Sequence, residues 1–371
     1  MALREHTAYR LFQKVGDQSA LHQGGRLFQQ WVVDQRAKCE QEQLRWVATH
    51  QKEIRANQYH GVEDALLNES TITLDEGEGL TTAYQDFMAI VREYGKPDVF
   101  VTITCNPKWE EIEEKITDPL QSTQDRPDIV ARVWQQRLKT LLKDLDEGVL
   151  GRLLVRIYVV EFQKRGLPHA HILIILEDED KPRTREIIDK LVSTELPDLN
   201  VNPDLFDTVM TCMMHGPCGE AFPSRSCMKD EKCSKGFPKP LVEVTRANQD
   251  GYPVYRRRRR EPGVLTYKGK TYDNETVNQW VVPYNPYLSQ KYNCHINVEV
   301  CTPITTIKYM YKYVYKGSDR AVITIKAVRD PNNPREEPNE ILRFLNARYI
   351  PPSRHVCVYW RSRSRARRTP S

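Results

Sequence analysis

The sequence predicts an α+β protein in which helices flank a buried antiparallel hairpin. Two apolar runs rich in β-branched residues, 153–160 and 172–176, lie on either side of a short turn signal, which is the pattern of paired strands. Apolar residues recur at helical spacing before residue 66 and again between residues 127 and 146. These observations together predict a sheet covered by helices.

Upstream of the hairpin, the pattern predicts a helix followed by a strand. The helix runs from about residue 82 to residue 94 and ends at Gly95, a residue type that favours helix termination. Residues 98–104 are β-branched and predict a strand. Thr102 and Thr104 share one face of this strand, where they form a polar ridge.

Downstream of the hairpin, a helix is predicted over about residues 184–191, and a second hairpin over 264–272 has Gly269 in its turn. Residues 294–301 alternate in polarity and predict a strand. One face of that strand is polar and is expected to face a site; it carries His295, Asn297 and Glu299.

Two histidines at the hairpin predict a divalent metal site. His169 and His171 are two residues apart on the second strand, so their side chains leave the same face. Glu161 ends the first strand and can reach across to them. Two imidazoles and a carboxylate leave room for substrate oxygens on a bound cation. The alternative is a hydrogen-bonded histidine pair without metal.

Cysteine and histidine cluster within residues 205–240. His215 and Cys218 are separated by two residues, the common chelate spacing, and Cys227 and Cys233 follow. We interpret these four side chains as the ligands of a small structural zinc knuckle, with Cys212 as a competing ligand. Free thiols are the alternative.

A tyrosine- and lysine-rich segment supplies candidate nucleophiles. Tyrosine occupies every second position over 309–315, which fits a strand, whereas Gly317 and the preceding Thr-Pro pair at 302–303 fit the two ends of a helix. We choose the helix. On one helical face it brings together two phenols and two ammonium groups, those of Tyr309, Lys312, Tyr313 and Lys316. A tyrosine-rich helix that only packs on a sheet is the alternative.

Composition narrows the class of protein. The chain has 371 residues, 39% of them hydrophobic and 28% charged, with a net charge of +5. No apolar run approaches the length of a membrane span and no secretory signal is present, so we expect nine thiols without a disulfide framework. Clustered basic residues predict a polyanion partner, with a solvated loop as the alternative; five arginines are consecutive, Arg256, Arg257, Arg258, Arg259 and Arg260.

Taken together, the motifs resemble one family of transposon proteins. The chain resembles the Rep nuclease region, or helitron helicase-like domain, of Helitron transposons within the HUH endonucleases. The resemblance spans roughly residues 26–348. It is carried by residues 94–109, by the segment from Glu161 to His171, by the Cys/His segment at 214–239, and by residues 282–287 and 308–317.

This resemblance implies a two-tyrosine nuclease on a ferredoxin-like antiparallel sheet. It implies Mg²⁺ or Mn²⁺ held by His169, His171 and Glu161, with Gln163 a weaker candidate for the third ligand. Tyr309 or Tyr313 would attack single-stranded DNA and form a 5′-phosphotyrosine link, and the basic runs would hold further phosphates. Nuclear localisation is expected from the same resemblance, and no membrane partner is expected because no apolar run is long enough to span a bilayer.

The expected domain boundaries come from the sequence pattern and, at the C-terminal end, from where the resemblance stops. Helitron proteins carry a helicase after this region, whereas this chain has no Gly-x-x-x-x-Gly-Lys-Ser/Thr loop, so we expect a separate or lost helicase and no ATPase here. Two other functions stay open: an inactive DNA-binding remnant, and a metal nuclease that uses water. The expected parts are a helical module at 1–66, a linker at 67–82, a nuclease-like domain at 83–348 with the Cys/His insertion at 205–240, and a basic, disordered tail at 349–371.

Overall fold

The architecture is taken from a computed structural model, which describes residues 3–12, 19–50, 92–116, 121–162, 167–220, 222–247 and 253–301, together with the strand pair 320–321 and 347–348. The helices in chain order are α1 Leu3–Leu11, α2 Ala20–Gln23, α3 Arg26–Thr49, α4 Glu110–Glu113, α5 Pro127–Asp146, α6 Arg185–Leu191, α7 Pro203–Cys212 and α8 Pro286–Tyr292. The main strands are β1 Val99–Thr104, β2 Leu153–Phe162 and β3 Pro168–Leu176. The remaining strands are the two-residue β4 Met228–Lys229, β5 Lys232–Cys233, β6 Arg246–Ala247 and β7 Pro253–Val254, the hairpin strands β8 Val264–Tyr267 and β9 Lys270–Asp273, the sheet strand β10 Ile296–Val300, and the pair β11 Arg320–Ala321 and β12 Ala347–Arg348.

Four strands form one antiparallel sheet, in the order β10-β1-β3-β2. The chain makes β1, crosses over through α5 to β2, returns in the hairpin to β3, and reaches β10 only after α6, α7 and α8. The protein is therefore a mixed α+β structure with a four-stranded antiparallel sheet, as predicted.

One face of the sheet is apolar and packs against α5. Alternate residues of β1, such as Val101 and Ile103, are fully buried there, and Trp134 of α5 packs into the same core. α5 begins at Pro127, whose missing N–H costs nothing in the first helical turn. Its bounds, Pro127–Asp146, coincide with those predicted from the sequence.

Other predicted elements are also present. α6 begins after Thr184, whose side-chain oxygen accepts a hydrogen bond from the Ile187 N–H. The hairpin of β8 and β9 turns at Lys268 and Gly269, both with positive φ, the conformation that a tight turn of this kind requires.

No helix was predicted at the start of the segment 205–240, but the structure has one there. Residues 203–212 form α7, which buries Leu205, Phe206 and Val209 in a second apolar core with Tyr284. The Cys/His segment follows this helix, and its short β4–β5 hairpin has little regular structure around it.

The N-terminal helices pack on the outer side of α5. Leu11, Phe28 and Val32 form an apolar cluster with Ala131 of α5. The side-chain amide of Gln29 donates to the Gln124 carbonyl at 2.8 Å, next to that cluster. The helical character predicted for this region is present in α1–α3, whereas the predicted domain division stays a prediction.

Several predictions lie outside the described residues. These include the turn that contains Gln163 and the whole segment from Tyr309 to Lys316. Within the part of the chain that is described, none of the helices combines the length and apolar character needed to cross a membrane.

Candidate functional site

The second face of the sheet carries the predicted histidines. Thr102 of β1 pairs with His171 of β3, and Thr104 pairs with His169. Residues paired directly across antiparallel strands project from the same face. All four side chains therefore leave the face opposite α5, near the end of the sheet where β1 stops.

Each histidine is held by one threonine of the neighbouring strand. Thr102 Oγ1 lies 3.1 Å from His171 Nδ1, and Thr104 Oγ1 lies 2.7 Å from His169 Nδ1. The polar ridge predicted on β1 thus contacts both rings through the same ring nitrogen. A cation bound by these histidines would be bound through Nε2, with Nδ1 protonated and donating to the threonine.

Glu161 completes the predicted set from the opposite strand. It pairs with His169 across the β2–β3 hairpin, and its Oε2 lies 3.8 Å from Nε2 of His171. Its Oε1 is buried and has no hydrogen-bond partner. The hairpin therefore brings Glu161 to the imidazole pair, as its position at the end of the first strand predicts.

The second predicted metal set is more compact. Ligand atoms of His215, Cys218, Cys227 and Cys233 all lie within 4.8 Å of one another. In the described ranges this is the only group of three or more His, Cys, Asp or Glu side chains that meets this distance, so His169, His171 and Glu161 are less tightly gathered. Cys212, at the end of α7, is not a member.

Local structure holds the Cys/His cluster in place. Cys233 lies on β5 of the short hairpin, and its Sγ is 3.5 Å from Nε2 of His215. The ring of Phe237 stacks on His215 with centroids 4.2 Å apart. Phe237 was not among the predicted site residues, although a Phe-Pro pair four residues after Cys233 was a signal for such a contact.

The thiols influence one another's ionisation. Burial, together with the neighbouring thiols Cys233 and Cys227, raises the pKa of Cys218 to about 12. Burial opposes ionisation of Cys233 too, but backbone N–H groups of Phe237 and Lys235 lower its pKa. When one of these neighbouring thiols loses its proton, its negative charge hinders ionisation of the next. A bound cation removes this repulsion, so several thiolates can form together only at a metal site.

Residues 279–283 join the Cys/His cluster to the sheet. The His215 N–H donates to the Trp280 carbonyl at 2.8 Å, and the Lys239 N–H donates to the Gln279 carbonyl at 3.0 Å. Three residues further on, the Pro283 carbonyl accepts from the Val298 N–H of β10 at 3.2 Å. Residues 279–283 therefore form hydrogen bonds both with the Cys/His segment and with the central sheet.

The arginine run is not uniformly exposed. Arg257 is only 4% exposed, and its Nη1 donates to the carbonyls of Asn278 and Val281, each at 2.7 Å. Burial lowers the pKa of Arg257 to about 10, so it still carries its charge at neutral pH. Arg257 is therefore a buried side chain that hydrogen-bonds within the protein. This position does not fit its predicted contact with DNA phosphates.

The other four arginines lie at or near the surface with partners of their own. Arg258 forms a two-pronged ion pair with Glu195, and Arg259 pairs with Glu275 at 2.7 Å. Arg256 lies 3.1 Å from Asp189, and Arg260 donates to the carbonyl of Leu196. Their role in binding DNA stays a prediction.

The first part of the chain matches a known protein family. Residues 6–174 match the family described as the Helitron helicase-like domain at the N-terminus. The match covers a little under half of the chain, from α1 to β3, and includes Glu161, His169 and His171. No curated protein matches the chain. This region is therefore Helitron-related, which implies a transposon-related function and association with DNA.

Proposed function

We propose that this chain is a metal-dependent endonuclease and strand transferase of the HUH type, which cleaves single-stranded DNA through a tyrosine. The observation that carries the proposal is the pair of threonine-held imidazoles with Glu161 opposite, inside the Helitron-related region. The order of elements, strand–helix–strand–strand–helices–strand, supports a ferredoxin-like sheet.

The donor set fits a divalent cation. Two imidazoles and one carboxylate suit Mg²⁺ or Mn²⁺ when the substrate adds oxygen ligands. Glu161 Oε1, buried without a hydrogen-bond partner, is an unsatisfied acceptor at this place. His169, His171 and Glu161 would hold the ion, which would supply Lewis-acid polarisation of the scissile phosphate.

The remaining steps belong to the chain's own side chains. Thr102 and Thr104 keep the two imidazoles in one tautomer and orientation. The phenolic oxygen of Tyr309 or Tyr313 gives up its proton to solvent and forms a bond to phosphorus, and the bond from phosphorus to the 3′ oxygen breaks. The 3′ oxygen takes up a proton, leaving a free 3′-OH and a 5′-phosphotyrosine.

Lysines and the second tyrosine complete the proposal. Lys312 and Lys316 would favour the phenolate and stabilise charge on the transferred phosphoryl group. The second tyrosine would serve a second strand transfer in rolling-circle transposition. No ATP-driven unwinding is proposed for these 371 residues, since they contain no Gly-x-x-x-x-Gly-Lys-Ser/Thr loop.

A second cation would have a structural role. His215, Cys218, Cys227 and Cys233 supply the nitrogen and sulfur donors that Zn²⁺ prefers in closed four-ligand sites. Zn²⁺ bound there would stabilise a segment with little regular structure of its own.

A covalent-trapping assay tests the nuclease proposal. The full chain is incubated with labelled single-stranded oligonucleotides and Mn²⁺, and the products are separated on a denaturing gel. We expect a protein–DNA band that disappears with His169→Ala and with the double change Tyr309→Phe and Tyr313→Phe. The double change Tyr311→Phe and Tyr315→Phe, in the same segment, is the matched control and keeps the band.

Other outcomes would separate the competing functions. Cleavage without a covalent band would replace the tyrosine with a water nucleophile. Folded protein that binds the oligonucleotides but neither cleaves them nor forms a band would support an inactive DNA-binding remnant instead.

A further inference from the structure

The Cys/His segment, residues 214–239, carries cations that have no ionic partner in the described part of the chain. Its charged side chains are the cations Arg225, Lys229, Lys232, Lys235 and Lys239 and the carboxylates Glu220, Asp230 and Glu231. None of them forms an ion pair with a residue in the described ranges. The arginine run differs, since Arg256, Arg258 and Arg259 each pair with a carboxylate. Zn²⁺ bound by three thiolates is net negative, yet the segment as a whole stays positive.

Two of these cations lie side by side on the β4–β5 hairpin. Lys229 and Lys232 are paired directly across the two strands, and both are exposed. Like charges in this arrangement repel, so an anion bound between them would relieve a cost that the hairpin otherwise carries. The adjacent pair, Met228 with Cys233, projects from the opposite face of the hairpin. Because Cys233 belongs to the metal cluster, the two ammonium groups lie on the side away from it, in solvent.

An exposed aromatic ring lies beside this hairpin. Phe222 is 41% exposed, and the guanidinium carbon of Arg225 lies 5.7 Å from the centre of its ring. The Phe222 N–H donates to the carbonyl of Gly219, whose own N–H lies 3.3 Å from Sδ of Met228 in β4. The ring and the lysine pair therefore belong to one small surface. Single-stranded nucleic acid is bound by surfaces of this kind, in which bases stack on rings and phosphates contact cations.

The Cys/His segment borders the sheet face that carries the histidine pair. Residues 279–283 form hydrogen bonds with the segment and with β10. Lys239 is half-buried near β10: burial and the charge of Arg257 lower its pKa, whereas the charge of Glu299 raises it. Glu299 pairs with Phe100, whose ring stacks on His171 at 5.6 Å, so Glu299 projects from the same face as the histidines. Lys239 thus has a carboxylate nearby, and the segment adjoins the candidate site at its β10 side.

We infer that the Cys/His segment binds the single-stranded DNA next to the cleavage site, with phosphates on Lys229 and Lys232 and a base on Phe222. The inference rests on the proposed function, which supplies the identity of the strand. It assigns the main phosphate contacts to cations that lack ionic partners among the described residues, rather than to the arginine run.

Equilibrium binding tests the inference without cleavage. Fluorescence anisotropy measures the affinity of the full chain for a labelled single-stranded oligonucleotide over a range of NaCl concentrations, without Mg²⁺ or Mn²⁺ so that no strand is cut. Lys229→Gln together with Lys232→Gln removes two phosphate contacts. The slope of log affinity against log salt should become shallower by about 1.4, and the affinity at about 0.1 M NaCl should fall about 25-fold.

Two further variants separate charge from position and from folding. Arg258→Gln together with Arg259→Gln removes the same charge from exposed arginines that pair with carboxylates, and should leave the slope unchanged. Lys229→Arg together with Lys232→Arg keeps the charge and should bind as wild type does. If this arginine version binds as poorly as the glutamine version, the loss is structural and the inference is overturned. A loss confined to the Arg258 and Arg259 variant would overturn it as well.

The aromatic ring is tested separately. Phe222→Ala should weaken binding at least about fivefold without changing the salt slope, because stacking releases no counterions. Tyr287→Ala is the matched control. Tyr287 is 50% exposed and also lies under a cation, that of Lys291, but this lysine pairs with Asp144 of α5, on the opposite face of the sheet. Unchanged affinity in Phe222→Ala, or an equal loss in Tyr287→Ala, would overturn the role of Phe222.

The two proposals fail in different ways. If the wild type forms the covalent band but the lysine and phenylalanine variants bind DNA as tightly as it does, this inference is overturned and the nuclease stands. If folded wild-type protein binds single strands through these residues but forms no band and cleaves nothing, the nuclease proposal falls and the binding surface stands. Wild-type protein that binds no single-stranded DNA would overturn this inference whatever the trapping assay shows.

Discussion

Thr104 on β1 holds His169 on β3 through a 2.7 Å contact between Oγ1 and Nδ1. Two residues away along the same strands, Thr102 Oγ1 makes the same kind of contact with His171 Nδ1 at 3.1 Å. The rings are therefore oriented by the sheet itself and not by a loop, which is the kind of rigid support that a metal ligand requires.

The change Thr104→Val keeps the side-chain shape but removes the hydroxyl that holds His169. We expect Mn²⁺ affinity, measured by calorimetry, to fall by about 10- to 100-fold because the imidazole loses its tautomer and orientation. Thr140→Val is the matched control, since that hydroxyl donates only to the Gln136 carbonyl on the exposed side of α5. Equal Mn²⁺ affinity in Thr104→Val and wild type would show that the threonine does not support a ligand.

Zinc content distinguishes the members of the Cys/His cluster from their neighbour. Purified wild type is expected to carry one zinc per chain by elemental analysis, because four N and S donors already lie within 4.8 Å of one another. Cys227→Ser should lower the zinc content and the melting temperature together. Cys212→Ser should retain full zinc, since Cys212 lies outside the cluster; loss of zinc there would restore Cys212 as a ligand.

Arg257 is expected to be a stability determinant. Arg257→Met leaves the carbonyls of Asn278 and Val281 buried without their charged donor, which should lower the free energy of unfolding by about 3 kcal/mol. Urea denaturation measures the change.

The neighbouring Arg259→Met supplies the comparison for that experiment. Arg259 is exposed and pairs only with the surface carboxylate of Glu275, so its removal should change stability by no more than about 0.5 kcal/mol. Similar losses in both variants would contradict the difference in burial.

Attachment of the N-terminal helices to α5 should weaken in acid. His22 is buried 3.8 Å from Asp128, and burial, opposed by Asp128 and assisted by Arg126 and Arg132, lowers its pKa below 6.5. As pH falls below 6.5, the unfolded chain takes up a proton at His22 that the folded chain does not, so stability is lost by at most about 1.4 kcal/mol per pH unit.

The pH dependence can be assigned by substitution. His22→Gln should lose less stability than wild type between pH 7.5 and pH 5.5 in urea denaturation. The exposed His6→Gln should behave as wild type does. An identical acid loss in all three proteins would assign it to other groups, such as the carboxylates.

Short-range patterns predicted much of the sheet and part of the site. Alternation placed Thr102 and Thr104 on one face of a strand, and the hairpin placed Glu161 opposite His169; both follow from local geometry alone. The spacing of His215 and Cys218 likewise selected a cluster that the fold brings together.

Contacts between distant parts of the chain could not be predicted in the same way. Five adjacent arginines look alike in sequence, yet Arg257 is buried because carbonyls about 20 residues downstream converge on it. α7 is a different case, because its signals are local: Asn202 caps it, Pro203 begins it, and its apolar residues recur at helical spacing. The pairing of β10 with β1, which places Asn297 beside Thr102, also joins residues nearly 200 positions apart.

The packing of Leu11, Phe28 and Val32 against Ala131 has a practical consequence for producing the protein. In a shortened chain that begins at residue 83, the outer side of α5 would be uncovered and its apolar surface exposed to solvent. Exposed apolar surface of this kind favours aggregation. Efforts to isolate the portion that contains the sheet should keep the first fifty residues, and insolubility of a shorter version would say nothing about whether the sheet can bind metal.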